Sequence, residues 1–232
     1  PFPISIPQKK PFTTTRETMR QRDYVVVKVD TDDGITGIAE ASTIDTWGEP
    51  QQACVHAIEN ILGPAIIGVN PFDVRKILFK MDRALESFWY SKSAIDVALY
   101  DIMGKALGVP VYSLLGGQYN EVIQTSRSVG VGYPEEGIEF GKMLYDDLGS
   151  RTIKIKVGVN PIYDIAVVKG IREYVGPDVM IKVDFNQGYG DAKTAIEILK
   201  AMEPFNVKVA EQPVKSNDLD GMAKVTHAIQ AH

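Results

Sequence analysis

The sequence predicts an α+β domain at residues 1–116 and, at residues 117–232, the first half of a TIM-like (β/α) barrel. The first region combines a β-hairpin pattern with helical patterns, which together are typical of an α+β layer. In the second region, strand and helix patterns alternate at intervals of roughly thirty residues, a rhythm typical of parallel βαβ units. Four predicted strands make only half of a barrel, so closure of its core needs further strands.

The first region should contain a small antiparallel sheet. Two apolar stretches, residues 24–30 and 35–40, are joined through Asp33-Gly34. Asp-Gly between apolar runs is a strong signal for a tight hairpin turn. A short additional strand is expected at residues 4–6, where it could extend this sheet.

Three helices are expected after the hairpin. They are predicted at residues 50–62, 71–85 and 91–107. We expect Gly63-Pro64 to end the first helix and Gly108 to end the third, because glycine and proline are common where helices stop. The domain boundary then falls near Gly116-Gly117, ahead of the first strand of the partial barrel.

The second region contains four predicted strands, each followed by a helix. The strands are expected at residues 122–126, 152–158, 180–186 and 207–213. The helices are expected at residues 134–148, 161–174, 191–202 and 219–231. This order predicts a parallel sheet in which neighbouring strands follow each other along the chain.

Composition argues against several classes of protein. The formal net charge of −5 and the lack of a concentrated basic run argue against a nucleic-acid partner. No apolar run approaches the roughly eighteen residues of a membrane span, and the first residues do not resemble a signal peptide. Cys54 is the single cysteine, so a disulfide within the chain is excluded. These features predict a cytoplasmic protein without a membrane partner.

Charged residues gather near the ends of three predicted strands. Lys154 and Lys156 alternate with apolar residues and therefore share one face of their strand. By the same alternation Asp184 and Asn186 share a face, and Glu211 is followed closely by a proline that cannot continue a strand ladder. The carboxyl ends of parallel barrel strands converge on one mouth, so these side chains should meet there. A divalent cation between the carboxylates would offset the cost of burying them.

This combination resembles the enolase superfamily, and within it the muconate-lactonizing subgroup of the mandelate racemase/muconate lactonizing enzyme family. The matching motifs are the K-x-K of Lys154 and Lys156, the D-x-N of Asp184 and Asn186, and the E-Q-P that begins at Glu211. Residues 93–110 and 114–117 also resemble the family's segment between its capping domain and its modified barrel. The resemblance implies an isomerase that removes the proton α to a carboxylate and forms a metal-stabilised enediolate.

The resemblance also implies roles for these residues. Lys156 would be the acid–base group, and Lys154 would disfavour the charged form of Lys156 by repulsion and contact the substrate carboxylate. Asp184 and Glu211 would bind Mg²⁺, with Mn²⁺ as the alternative ion. Asn186 would contact the substrate or the residues that hold it.

Two further loops match the family by position. Residues 13–19 and 43–52 correspond to the capping loops that close over the substrate in that family. Thr15, Trp47 and Glu49 in these loops are therefore candidate substrate contacts. The resemblance implies a small carboxylate as the substrate, for racemisation or epimerisation of an acyl amino acid or dipeptide, or for a muconate-type cycloisomerisation.

Several alternatives stay open at the level of sequence. The family's third carboxylate ligand and second lysine would lie on strands beyond residue 232, so we expect a truncated chain or a partner polypeptide that supplies them. The lysines and carboxylates could instead form ion pairs, or the lysines could be solvated. Other readings are a sugar-acid dehydratase of the same superfamily, a catalytically incompetent fragment, and a regulatory or structural αβ protein. A half-barrel exposes strand edges, which favours a homo-oligomer.

Overall fold

The computed structural model describes residues 1–45 and 48–231, and the chain packs as two compact units. The first unit consists of Pro1–Gln8 and Gln21–Glu121. The second consists of Lys9–Arg20 and the chain from Val122 onward. The sequence predicts a boundary near Gly116-Gly117, close to the division after Glu121, but it does not predict that Lys9–Arg20 groups with the later residues.

The first unit is built on an antiparallel sheet. Its strands are β1 (Phe2–Thr13), β2 (Thr18–Asp30) and β3 (Thr36–Ser42), in the order β1-β2-β3. The predicted hairpin is formed by β2 and β3, with Val27 opposite Ala39. The prediction of a short strand at residues 4–6 was too conservative, since β1 extends from Phe2 to Thr13 and continues into the second unit.

Helices follow this sheet along the chain. They are α1 (Gln51–Ala57), α2 (Gly63–Ile66), α3 (Val74–Ala84), α4 (Trp89–Leu107) and α5 (Val111–Leu114). As predicted, α4 ends at Gly108, which adopts a left-handed φ of 67°. No helix in the described ranges is long and apolar enough to cross a membrane.

The expected stop at Gly63-Pro64 was wrong. A π-helical turn, Ile58–Leu62, connects α1 directly to α2. Pro64 then lies in the first turn of α2, where a residue without an N–H group is tolerated. Gly63-Pro64, which the sequence analysis interpreted as a helix end, therefore marks the first turn of α2.

Helix α4 packs closely on β3, and apolar side chains fill the space between the sheet and the helices. A Cβ atom at Gly37 would collide with the backbone oxygen of Ala98, so glycine is needed where the helix approaches the strand. The core of this unit includes Val25, Val27, Leu62, Ile77, Met81, Ile95, Leu99 and Ile102.

The second unit contains the predicted half of a barrel. Its strands are β4 (Ser126–Val129), β5 (Thr152–Lys156), β6 (Met180–Asp184) and β7 (Val207–Glu211). Its helices are α6 (Pro134–Asp146), α7 (Pro161–Val175), α8 (Ala192–Met202) and α9 (Leu219–Ala228). Within the described residues the strands form one parallel sheet in the order β4-β5-β6-β7. The predicted fold class is confirmed.

The first barrel strand lies later than predicted. The apolar residues Val122 and Ile123 are exposed and lie outside β4, whose pairing with β5 begins at Ser126. Only Val129 of β4 is buried. Because β4 is mostly polar, its strand pattern is weaker than that of the apolar residues before it. The predicted strand was therefore placed on those apolar residues.

The alternation of β5 and β6 separates a core from a polar face. Their outward side chains pack under the helices in a cluster that includes Ile153, Ile155, Ile181, Val183, Val168, Ile171, Leu199 and Met202. Lys154, Lys156 and Asp184 occupy the alternate positions and point to the opposite face. The fold thereby collects charged groups on the inner face of the sheet.

Candidate active site

The K-x-K, D-x-N and E-Q-P motifs come together at the carboxyl ends of β5, β6 and β7. Lys156 Nζ lies 2.7 Å from Asp184 Oδ2 and donates to Asn186 Oδ1 at 2.8 Å. Lys154 Nζ lies 2.8 Å from the same Asp184 oxygen and 2.6 Å from Glu211 Oε2. One carboxylate oxygen therefore receives both ammonium groups, and the lysine–carboxylate network joins the strands.

A bulge in β7 places Glu211 in this network. Ile181 of β6 lies opposite Val207, whereas the next residue of β6, Lys182, lies opposite Val209. The extra residue of β7 shifts the register by one, so that Glu211 lies opposite Asp184. Without that shift Ala210 would take the position, because side chains alternate along a strand.

Burial decreases across the network. The Asp184 side chain is 0% exposed, those of Lys156 and Lys154 are 12% and 21% exposed, and that of Glu211 is 48% exposed. The backbone N–H of Asn186 also donates to Asp184 Oδ1 at 2.9 Å. A buried carboxylate is costly unless charged donors and hydrogen bonds surround it, and here both are present.

These contacts fix the charge states of the central pair. Burial by itself would raise the pKa of Asp184, but hydrogen bonds from Lys154, Lys156 and the Asn186 amide outweigh it and hold this pKa below its ordinary value. Burial by itself would lower the pKa of Lys154, but hydrogen bonds to Asp184 and Glu211 raise it. Both shifts favour a carboxylate next to an ammonium group.

The backbone beyond the strands is held in sparsely populated conformations. Asn186, Gln187 and Gln212 have φ values of 43°, 66° and 48°, in the left-handed region. Backbone hydrogen bonds keep these segments together, including that from Gln187 N to Gln212 O at 3.0 Å. Strained residues that persist next to charged groups are common at functional sites.

The turn between β1 and β2 reaches the end of β6. Thr15 Oγ1 donates to the backbone oxygen of Asn186 at 3.2 Å, and its methyl group lies close to Gly158 and Gly188. A cleft of about 510 Å³ lies beside this contact, lined by Thr15, Arg16, Asn186, Gln187, Gly188, Lys215, Ser216 and Asn217. The structure thus places Thr15 next to Asn186, and its contact with substrate stays a prediction.

Of the other two capping-loop candidates, the structure describes only Glu49. Trp47 lies outside the described residues. Glu49 is buried in the first unit, where its carboxylate accepts hydrogen bonds from the backbone N–H groups of Tyr90 and Ser91, at 2.9 and 3.0 Å, and from Ser91 Oγ. This contact supplies partners for the free amides at the start of α4. Substrate binding by Glu49 stays a prediction that this geometry does not favour.

Asp184 and Glu211 are suited to a divalent cation. Both are hard oxygen donors, and they occupy paired positions of neighbouring strands. The described residues contain no group of three or more His, Cys, Asp or Glu side chains able to hold a metal ion. The chemistry of the donor set therefore fits part of a Mg²⁺ site, with further oxygen ligands needed from elsewhere.

Sequence reasoning missed two residues next to the network. Asp164, in the first turn of α7, is buried, and its carboxylate accepts hydrogen bonds from Gly158 N at 2.7 Å and from Tyr189 Oη at 2.5 Å. The sequence signal for Asp164 is an acidic residue in the first turn of a predicted helix. Neither Asp164 nor Tyr189 belongs to the K-x-K, D-x-N or E-Q-P motif, so neither was predicted as a site residue.

Comparisons with known sequences agree with this architecture. Residues 3–116 match the family described as "Mandelate racemase / muconate lactonizing enzyme, N-terminal domain", and residues 139–232 match "Enolase C-terminal domain-like". The N-succinyl-L-Arg/Lys racemase of Bacillus cereus is 34% identical over 97% of this chain and 61% of its own length. The chloromuconate cycloisomerase of Pseudomonas putida is 28% identical over 96% of this chain and 61% of its own length.

A solved structure has the same fold over nearly the whole of this chain. The dipeptide epimerase of Enterococcus faecalis, in complex with Mg and the dipeptide L-Leu-L-Tyr, aligns with a TM-score of 0.93 and 35% identity over 99% of this chain. The chain spans 64% of that structure and 61% of the two relatives above, so it corresponds to somewhat less than two thirds of such a protein. By its sequence, its fold and its matches on both sides of residue 117, the chain belongs to the mandelate racemase/muconate lactonizing enzyme family of the enolase superfamily.

Proposed function

We propose that the protein carrying this chain is a divalent-metal-dependent isomerase that moves a proton at the carbon α to a carboxylate, with Lys156 as the base. The observation that carries the proposal is the lysine–carboxylate network, in which Lys154 and Lys156 share one oxygen of the buried Asp184. Charged groups with shifted pKa values next to a strained backbone are typical of functional sites.

Lys156 is suited to proton transfer by its position. Its Nζ is held by Asp184 Oδ2 and Asn186 Oδ1 at the end of β5, which fixes the direction in which the nitrogen approaches a substrate. In its neutral form the nitrogen takes the α-proton and becomes an ammonium group. The electron pair of the broken C–H bond moves toward the substrate carboxylate, where negative charge develops.

Lys154 is suited to bind that carboxylate. Its Nζ lies 2.8 Å from Asp184 Oδ2 and 2.6 Å from Glu211 Oε2, so the ammonium group is held at the strand ends where the substrate would bind. An ammonium group beside developing negative charge stabilises the transition state more than the ground state. Lys154 thus has a positioning and electrostatic role rather than a proton-transfer role.

Asp184 and Glu211 would hold the divalent cation. When bound there, the cation supplies positive charge that lowers the cost of charge building up on the substrate carboxylate. An α-proton beside a carboxylate is a very weak acid, and a lysine alone does not overcome this barrier. The carboxylates would exchange part of their contact with Lys154 for contact with the cation.

The substrate class is best supported as an N-acyl amino acid or a dipeptide, with racemisation or epimerisation as the reaction. The racemase and the epimerase named above are 34% and 35% identical to this chain, whereas the cycloisomerase is 28% identical. Cycloisomerisation is the second candidate, because it begins from the same type of site.

Hydrogen exchange at the α-carbon tests the proposal. The full-length protein would be incubated in ²H₂O with Mg²⁺ and a dipeptide, an N-succinyl amino acid or muconolactone, and the loss of the α-proton signal followed by NMR. We expect exchange in the wild type, its loss on chelation of the metal, and a fall of about 10³-fold in Lys156→Ala. Lys169→Ala, an exposed lysine on α7, is the control and should exchange at the wild-type rate. Exchange by Lys156→Ala at the parent rate would contradict the role of Lys156.

A further inference from the structure

A second set of contacts joins the loops that follow β5 and β6. The hydroxyl group of Tyr189, in the loop after β6, donates to Asp164 Oδ2 at 2.5 Å. The same oxygen accepts a hydrogen bond from the backbone N–H of Gly158, in the loop after β5, at 2.7 Å. One buried carboxylate oxygen thus binds both loops, and we call these three residues the loop clamp.

Packing around the loop clamp leads to the network. The Tyr189 ring packs edge-on against Phe185, with the centroids 5.9 Å apart and the planes at 68°. Phe185 is fully buried and lies in sequence between Asp184 and Asn186. A displacement of Tyr189 would therefore be transmitted to the strand end that carries both polar residues.

The two loops also touch through their backbones. A Cβ atom at Gly158 would lie 2.6 Å from the backbone oxygen of Phe185, and one at Gly188 would collide with the backbone oxygen of Gly158. Val157 N donates to the backbone oxygen of Asp184 at 2.9 Å. With this little free space, small changes in either loop alter the distance between the strand ends.

We infer that Asp164 and Tyr189 are positioning residues, which hold the end of β5 with Lys156 against the end of β6 with Asn186 so that Lys156 Nζ meets Asn186 Oδ1 at 2.8 Å. The inference rests on the proposed function, because it concerns the alignment of the proposed base. Neither residue contacts the lysines or the carboxylates of the network in the described contacts. Their effect on the reaction is therefore indirect.

The charge state of the loop clamp fits this role. Burial raises the pKa of Asp164 against the effect of its hydrogen bonds. Burial and the bond to Asp164 raise the pKa of Tyr189, so the phenol keeps its proton and acts as a donor throughout the working range of pH. The hydrogen bond is thus present whenever Asp164 has a free acceptor oxygen.

The chain offers a matched control for this contact. Tyr174 Oη donates to Asp146 Oδ2 at 2.6 Å, and this pair is exposed and joins α7 to α6, away from the strand ends. Tyr174→Phe removes the same kind of hydrogen bond as Tyr189→Phe. A difference between the two variants reports on position and not on the chemistry of the bond.

Kinetics of α-proton exchange in the full-length protein test the inference. We expect Tyr189→Phe to lower kcat about tenfold with KM changed less than about twofold, because misplacement of a base affects the transition state rather than binding. Asp164→Asn keeps an acceptor oxygen and should retain kcat within about threefold, whereas Asp164→Ala should fall further than Tyr189→Phe. Tyr174→Phe should behave as the wild type. Equal kcat values for Tyr189→Phe and Tyr174→Phe, or a change in KM alone, overturn the inference.

Amide hydrogen exchange separates this inference from the proposed function. Exchange at residues 157–160 and 185–190 should be faster in Tyr189→Phe than in the wild type and unchanged in Tyr174→Phe. If the wild-type protein shows no α-proton exchange, the proposed function fails, and this measurement alone decides whether the clamp joins the loops. Unchanged amide exchange in Tyr189→Phe overturns the clamp whatever the activity.

Discussion

Asp164 and Asp184 are both buried in the second unit, near the ends of neighbouring strands, yet their surroundings are opposite. Asp184 is bonded to two ammonium groups, and its pKa lies below the ordinary value. Asp164 is bonded to a phenol and to backbone amides, and burial holds its pKa above the ordinary value. Asp184 thus remains a negatively charged carboxylate, whereas Asp164 accepts hydrogen bonds from neutral donors.

The comparison separates chemistry from support. A carboxylate that keeps its charge among cations is suited to bind a metal ion or to orient lysines. A carboxylate surrounded by neutral donors is suited to hold loops together, because its contacts have directions that charges alone would not impose. Substitutions at these groups and at comparable ones test this division.

The largest effect on stability is expected at Arg172, a half-buried charge that donates to neutral partners in the described contacts. Its guanidinium group donates to the backbone oxygens of Gly176, Val179, Phe205 and Asn206. Arg172→Met should lower the free energy of unfolding by about 3 kcal/mol, because several carbonyl groups lose their donor. Urea unfolding measures this loss. Lys169→Met, exposed on the same helix, is the control and should change stability by less than about 0.5 kcal/mol; an equal loss in both variants would contradict the role of Arg172.

At Asp184 the expected effect is on metal binding. Asp184→Asn keeps the shape of the side chain but removes the charge that a cation needs, so the affinity for Mg²⁺ should fall at least about tenfold. Isothermal titration calorimetry of the full-length protein measures this change. Asp191→Asn, at the exposed start of α8, is the control and should bind Mg²⁺ as the wild type does. An unchanged affinity in Asp184→Asn would refute its role as a ligand.

Stability should change with pH in opposite directions for a carboxyl group whose pKa is raised and for one whose pKa is lowered. Asp164 has a folded pKa above the ordinary 3.8, so the stability it contributes is present at low pH and is lost as the pH rises through the folded pKa. Asp164→Asn should therefore gain stability relative to the wild type between pH 3.5 and pH 7. Chemical denaturation at both pH values measures the difference.

Asp101 supplies the control of opposite sign. Hydrogen bonds from Lys105 and from the Ile38 amide hold its pKa below 3.8 despite burial. Its stabilising contribution is present above the ordinary value and is lost as the pH falls through the folded pKa. Relative to the wild type, Asp101→Asn should thus lose stability as the pH rises. The same sign for both variants would show that the two environments do not differ as described.

The smallest effect concerns the backbone around Asp184. The loop that follows β5 has Gly158 in the left-handed region, whereas Gln212, after β7, adopts φ 48° with a side chain that disfavours it. Gln212→Gly should stabilise the protein by about 0.5 kcal/mol. Thermal unfolding measures the change, and Gln212→Ala, which keeps the strain, should show no gain. A gain in both variants would mean that the side chain, and not the backbone, is the cause.

The sequence predicted much of the network because strand alternation is a local property. Lys154, Lys156 and Asp184 lie on the faces that the period of two residues predicts, and the contacts in the structure join them. Asn186 also contacts Lys156, but from the turn that follows β6. The half-barrel followed in the same way from the rhythm of strands and helices. Self-association of the chain stays a prediction.

The rest depended on contacts that the local pattern does not contain. The partnership of Asp164 with Tyr189 joins residues on different βα units and has no periodic signal. The helix continues to Gly63-Pro64 because of a π-helical turn. Glu49 is buried because its carboxylate accepts hydrogen bonds from backbone amides of α4. In each of these cases tertiary partners decided the outcome, and local residue preferences alone did not.

The bulge in β7 makes the position of Glu211 sensitive to the number of residues that precede it in the strand. Deleting the extra residue, Lys208, would remove the bulge and leave Glu211 opposite Asp184. Inserting one residue between Val209 and Ala210, with the bulge retained, would instead place Ala210 opposite Asp184 and turn Glu211 to the other face. Related proteins with one additional residue in this segment are therefore expected to differ in the identity of the group beside Asp184.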